Sequence, residues 1–185
     1  TEGVLAVYPL PADAVELQLA AIGADLGADS VKTGMLHDAQ VIEAAARAIR
    51  RYRWRQVVVD PVLLAKDGSP LLRREALHAL KTVLIPLAAI VTPNIPEAEA
   101  LTGLSIRTED DKREAARRIC GMGARYALIK GGHDADGEWS TDWLFDGASF
   151  LELKERRIPT RHTHGTGCTL AAAVAAELAK GRTVP

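Results

Sequence analysis

The feature that most constrains this chain is the alternation of short, uninterrupted apolar runs with helical stretches. Gln56-Val57-Val58-Val59-Asp60, Ala88-Ala89-Ile90-Val91-Thr92 and Tyr126-Ala127-Leu128-Ile129-Lys130 are of strand length, and helical patterns separate them. Strands that lack polar alternation are buried on both faces, and strands joined through helices pair in parallel. The expectation is an α/β fold: a mostly parallel sheet covered by helices on both faces. At 185 residues and 48% hydrophobic content, the chain has the apolar surface for one core, so a single domain over residues 1–185 is expected.

Val15, Leu19, Ile22 and Leu26 recur at helical spacing and predict a helix over 12–26, with its apolar stripe in the core. Further helices are expected over 38–51 and 73–84, from Pro96 with proline in the first turn, behind a Thr108 cap to about Met122, and over 169–180. A short strand starting at Ser30 runs into Gly34-Met35. Strands over 142–145 and 149–153 flank Asp146-Gly147 as an antiparallel hairpin.

Charge and length exclude some function classes. With 23 basic against 24 acidic residues, nothing at whole-chain level draws nucleic acid or an anionic membrane. No apolar stretch is long enough to span a bilayer, and Cys120 and Cys168 have neither zinc-site nor redox-pair spacing. A soluble cytoplasmic protein is the expectation. The chain begins at Thr1 and stops a few residues after its last helix, which reads as a fragment of a longer protein.

In an open α/β sheet, ligands bind outside the carboxyl ends of the strands. Three apolar runs end there on Asp60-Pro61, Thr92-Pro93-Asn94 and Lys130-Gly131-Gly132, which are expected to line one crevice. Gly165-Thr166-Gly167-Cys168-Thr169 opens an alanine-rich helix, and glycines at a helix start offer N–H groups and the positive dipole end to an anion. The same residues also read as a glycine turn entering a packed helix. Cys168 is either a reactive group of that first turn or a small buried hydrophobe. Lys130 is either a cation reaching a nucleotide phosphate or a solvated edge lysine. Asp60 and Glu97 are candidates to hold Mg²⁺, directly or through water; otherwise Asp60 is a turn carboxylate and Glu97 a charge at a helix start. No segment ends in Gly-Lys-Ser/Thr as a Walker A loop, and Leu170 stands where a third glycine of a dinucleotide fingerprint would fall. His133 and His164 lack partners at metal-ligand spacing.

Five segments, in this order and spacing, resemble the hydroxymethylpyrimidine/phosphomethylpyrimidine kinases of thiamine biosynthesis, in the ribokinase-like superfamily. They are Lys32-Thr33-Gly34-Met35, Asp60-Pro61-Val62 with Ala65-Lys66, Thr92-Pro93-Asn94-Ile95-Pro96-Glu97, Lys130-Gly131-Gly132-His133 and His164-Gly165-Thr166-Gly167-Cys168-Thr169. The resemblance implies a three-layer α/β/α sandwich and two successive phosphorylations with MgATP, of a pyrimidine alcohol and of its monophosphate. It implies that Gly165, Thr166, Gly167 and Cys168 surround the transferred phosphoryl, that Lys130, Asn94 and Thr92 serve the nucleotide, that Asp60 and Glu97 organise Mg²⁺, and that Met35 packs on the pyrimidine. A homodimer is also implied. Relatives begin with a strand and a glycine-rich stretch that this sequence does not contain. Pyridoxal and pyridoxine kinases are similar in Gly165-Thr166-Gly167-Cys168 and are the alternative, with a non-catalytic pyrimidine-binding module as the reading from a different class.

Overall fold

The computed structural model describes residues 6–65, 70–132, 138–160 and 163–185. Lys66 and His133 lie outside the described residues. The order is α1 (Ala12–Asp25), β1 (Val31–Thr33), α2 (Ala39–Arg51), β2 (Val57–Val59), α3 (Ala76–Ala79), β3 (Ile90–Val91), α4 (Ile95–Thr102), α5 (Glu109–Gly121), β4 (Tyr126–Ile129), β5 (Trp139–Phe145), β6 (Phe150–Arg156) and α6 (Thr166–Ala179).

One six-stranded sheet runs β1-β2-β3-β4-β5-β6. The first four strands are parallel, in register Thr33↔Val59, Val59↔Val91 and Val91↔Ala127, and β5 and β6 are antiparallel. Strand pleating divides the core between two faces. Val57, Val59, Val91, Ala127 and Ile129 pack with Ile42, Ile49, Leu101 and Ile119 of α2, α4 and α5. Val58, Ile90, Leu128 and Leu144 face the other way, against Ala171 and Leu178 of α6. The layers are therefore helix, sheet, helix, and β2 to β4 are buried on both sides, as their lack of polar alternation requires.

Local signals set the helix starts. The Asp38 side chain accepts from Val41 N at the start of α2. Asn94 with Glu97 and Thr108 with Asp111 close reciprocal capping boxes at α4 and α5. Gly103, at φ 73, ends α4 in the left-handed region.

Four sequence expectations need correction. No residue of α1 is buried: Ile22 is 46% exposed, and Leu26 at its C-terminal cap 77%, because the helix packs chiefly against α2 and reaches the core mainly through Leu19. The helix expected over 73–84 is regular only over Ala76–Ala79; it widens into a π turn at Leu80–Leu84 and tightens into a 3₁₀ turn at Ile85–Leu87. Pro86 has no N–H for an α-helical bond, and Ile85 N bonds back to Leu80 O instead. The hairpin strands are longer than expected, at seven residues each. Helix α6 begins at Thr166, so Thr166, Gly167 and Cys168 form its first turn rather than a loop leading to it.

Candidate active site

The four parallel strands end at one edge of the sheet, and backbone bonding continues past them. Asp60 N donates to Thr33 O at 3.1 Å, Thr92 N to Val59 O at 3.0 Å and Lys130 N to Pro93 O at 2.9 Å. Asn94 and Lys130 form a parallel bridge. This extended ladder brings Asp60, Thr92, Asn94 and Lys130 together as the sequence anticipated.

Asp60 is the hub. Its side chain is 3% exposed, and an ionised carboxylate at that depth requires compensation. Lys130 Nζ donates to Oδ1 at 3.2 Å, and Thr92 Oγ1 reaches the same oxygen at 3.5 Å. Lys32 Nζ stands 3.3 Å from Oδ2, an ion-pair contact without hydrogen-bond alignment. Lys130 is therefore not the solvated edge lysine of the alternative reading. Two ammonium groups face one carboxylate, and the excess is positive.

Glu97 lies in the first turn of α4, not at a strand end. Its Oε2 accepts from Asn94 N at 2.8 Å, while Asn94 Oδ1 accepts from Glu97 N at 2.9 Å. Burial pushes the Glu97 carboxyl up to about 7; the Asn94 amide and the Lys130 charge draw it down, and the Asp60 charge raises it. Among the described residues, no three His, Cys, Asp or Glu side chains converge to cage a metal ion. The donor set nevertheless fits Mg²⁺, which keeps much of its water and takes one or two carboxylates beside substrate phosphates. Asp60 already holds two ammonium contacts, so the fit is through water.

Across the crevice, Gly165 begins α6 at φ 82 with no side-chain cap, unlike α2, α4 and α5. The first helical bond runs from Thr169 N to Gly165 O at 2.9 Å, so the amides of Gly167 and Cys168 precede the helical ladder. A methyl group on Gly167 would come within 3.1 Å of Lys130 Nζ. The ammonium and the helix start thus share one space. Cys168 is exposed there rather than buried. Met35 stands on the same rim, two residues beyond β1, with 43% of its surface exposed.

Sequence reasoning missed three side chains. Lys32 repeats the pattern of Lys130: a cation near a strand end, folded over glycine, with a methyl group on Gly34 falling 2.9 Å from its Nζ. That repetition was a usable signal. Asp142 and Arg157, which bond the backbone of Gly131 and Gly132, left none, because their partners are distant in sequence.

A mixed sheet whose parallel strand ends gather two lysines around one buried carboxylate, beside a second carboxylate in the first turn of α4 and opposite an uncapped glycine helix start, defines a ribokinase-like small-molecule kinase fold. The model of the phosphomethylpyrimidine kinase family matches residues 1–185. The hydroxymethylpyrimidine/phosphomethylpyrimidine kinase of Bacillus subtilis is 48% identical over 184 residues, covering 100% of this chain and 68% of that protein. Among solved structures, an ADP complex of Bacillus subtilis pyridoxal kinase superposes with a TM-score of 0.88 at 42% identity, covering 97% of this chain and 66% of that one. Phosphomethylpyrimidine kinase from Clostridium difficile gives 0.86 at 35%, covering 100% and 74%. The chain belongs to the phosphomethylpyrimidine kinase family and spans about two thirds of the length of the Bacillus proteins it matches. Among the described residues, no helix is long and apolar enough to cross a membrane.

Proposed function

We propose that the protein containing this chain transfers the γ-phosphoryl of ATP to the hydroxyl of 4-amino-5-hydroxymethyl-2-methylpyrimidine, and then a second phosphoryl to the monophosphate, giving the diphosphate for thiamine biosynthesis. The observation that carries this reading is the approach of Lys130 Nζ to Gly167, which combines a partly buried cation with the free first-turn amides of Gly167 and Cys168. Family membership supplies the pyrimidine, and the ADP complex of the pyridoxal kinase neighbour supports nucleotide use.

In the proposed reaction the substrate oxygen forms a bond to the γ-phosphorus as the bond to the β,γ-bridging oxygen breaks, leaving ADP. Negative charge spreads over the equatorial oxygens, and the amides of Gly167 and Cys168 are donors for it, while the Thr166 amide bonds Thr163 O at 3.4 Å and shapes the turn. Lys130 engages the nucleotide phosphates, with Asp60 fixing its ammonium and Thr92 and Asn94 fixing the strand ends beneath. Lys32 adds positive charge on the other side of Asp60. Cys168, exposed in the same turn, accepts the hydroxyl proton. Asp60 and Glu97 would hold a Mg²⁺ ion, which would supply further charge neutralisation. Met35 offers an exposed apolar surface to the pyrimidine. We assign the enzyme to the cytoplasm as a homodimer, which light scattering on the full-length protein tests.

The test is ADP release by full-length protein given MgATP and the hydroxymethylpyrimidine. Production of ADP with the mono- and diphosphate is expected; binding of the pyrimidine with no ADP would identify a non-catalytic module. Pyridoxal phosphorylation is the second reading, favoured by the 0.88 superposition on a pyridoxal kinase. Competition between the two substrates decides it, with a higher kcat/KM expected for the pyrimidine.

A further inference from the structure

Lys130 works only if the backbone that carries it is held still. On one side its N–H donates to Pro93 O. On the other comes the pair Gly131-Gly132, the least constrained dipeptide a chain can offer. Two side chains from the β5–β6 hairpin grip that pair. Asp142 Oδ1 accepts from Gly131 N at 2.7 Å, a short charge-assisted bond. Arg157, just beyond the end of β6, donates from Nη1 to Gly132 O at 3.0 Å and from Nη2 to Gly131 O at 3.4 Å. Asp142 stands one residue beyond the ladder pair Ile129↔Trp143, so the antiparallel register delivers its carboxylate beside Lys130-Gly131.

We propose that Asp142 and Arg157 are positioning residues for phosphoryl transfer, a clamp by which the hairpin fixes the Lys130-Gly131-Gly132 turn and thereby aims the Lys130 ammonium at the first turn of α6. The clamp gives the antiparallel hairpin a part in catalysis, although neither residue needs to touch a substrate. A carboxylate takes the amide and a guanidinium takes the two carbonyls, so the peptide planes after Lys130 are fixed from both sides. The inference rests on the reading of Lys130 as the nucleotide-phosphate contact.

The experiment compares full-length wild type with Asp142→Ala, Asp142→Asn, Arg157→Ala, Lys130→Ala and the Asp142→Ala/Lys130→Ala double variant, by ADP release with MgATP and the hydroxymethylpyrimidine. Asp142→Ala is expected to lower kcat/KM for ATP by about 10- to 100-fold, the scale of a misplaced catalytic group, while KM for the pyrimidine stays within about threefold. Asp142→Asn keeps an oxygen acceptor and should recover most of that loss. In the Lys130→Ala background, removing Asp142 should cost less than about threefold more, because the residue acts through Lys130. Wild-type ATP kinetics in Asp142→Ala, or a full multiplicative loss in the double variant, would overturn the clamp. If Asp142→Ala does not fold, Arg157→Ala must show the same ATP-selective loss, and its absence is equally fatal. Wild-type ATP kinetics in Lys130→Ala alone would instead overturn the reading of Lys130, and the clamp with it.

Discussion

The Lys130 ammonium occupies the space that a side chain on Gly167 would need: a methyl group there would lie 3.1 Å from Nζ. Glycine at 167 is therefore explained by room for the cation and not by backbone strain, since Gly167 is absent from the positive-φ positions while Gly165, at φ 82, is among them. The two glycines should respond differently to substitution. Gly165→Ala forces a left-handed alanine and should cost about 1–2 kcal/mol of stability. Gly167→Ala should fold normally and lose about tenfold in kcat/KM for ATP as the ammonium is displaced. Thermal unfolding and steady-state kinetics separate the two.

Removing the cation tests the other end of the contact. In Lys130→Ala, Asp60 keeps Lys32 at 3.3 Å, so the buried carboxylate is not stranded. A stability loss of about 1–3 kcal/mol is expected, with the fold retained and KM for ATP raised. Urea unfolding with ATP titration of the rate measures both.

Cys168 sits in the first turn of α6 and is exposed. If its sulfur takes the substrate proton, Cys168→Ala should lower kcat by about 10²- to 10⁴-fold with little change in nucleotide affinity. Unchanged turnover would leave the phosphoryl transfer to geometry and amide donors alone.

Glu97 ties stability to pH. Burial lifts its carboxyl from 4.5 to about 7. Below 4.5 the group is protonated whether the chain is folded or not. Between 4.5 and 7 the unfolded chain releases the proton while the folded chain retains it, so stability falls as pH rises and the loss is complete above the folded value. The difference amounts to on the order of 3 kcal/mol. Urea unfolding of ligand-free wild type and Glu97→Gln across this window should give a difference curve that falls with pH; a flat difference would contradict the assignment.

The sheet and most of the site were legible because the signals are local. Val57-Val58-Val59 is too short and too branched to be anything but a buried strand, and it ends on Asp60. Pro96 marks the first turn of α4 and Thr108 caps α5, each a signal confined to the helix start itself. What the sequence concealed depends on contacts between distant segments. The stripe Val15, Leu19, Ile22, Leu26 predicts burial from periodicity alone, yet among the described residues α1 packs chiefly against α2 and leaves Ile22 and Leu26 exposed. The wide turn at Leu80–Leu84 answers to Pro86, whose effect on the preceding residues outweighs their helical spacing. Ser140 and Lys154 fall outside the strands expected over 142–145 and 149–153, but cross-strand pairing makes them strand. The same non-locality hid Asp142 and Arg157, whose partners Gly131 and Gly132 lie 11 and 25 residues away.

The most direct measurement is a crystal structure of the full-length protein with Mg²⁺ and a non-hydrolysable ATP analogue. The account predicts the terminal phosphates within hydrogen-bond distance of both Lys130 Nζ and the Gly167 and Cys168 amides. Phosphates bound away from either group would contradict it.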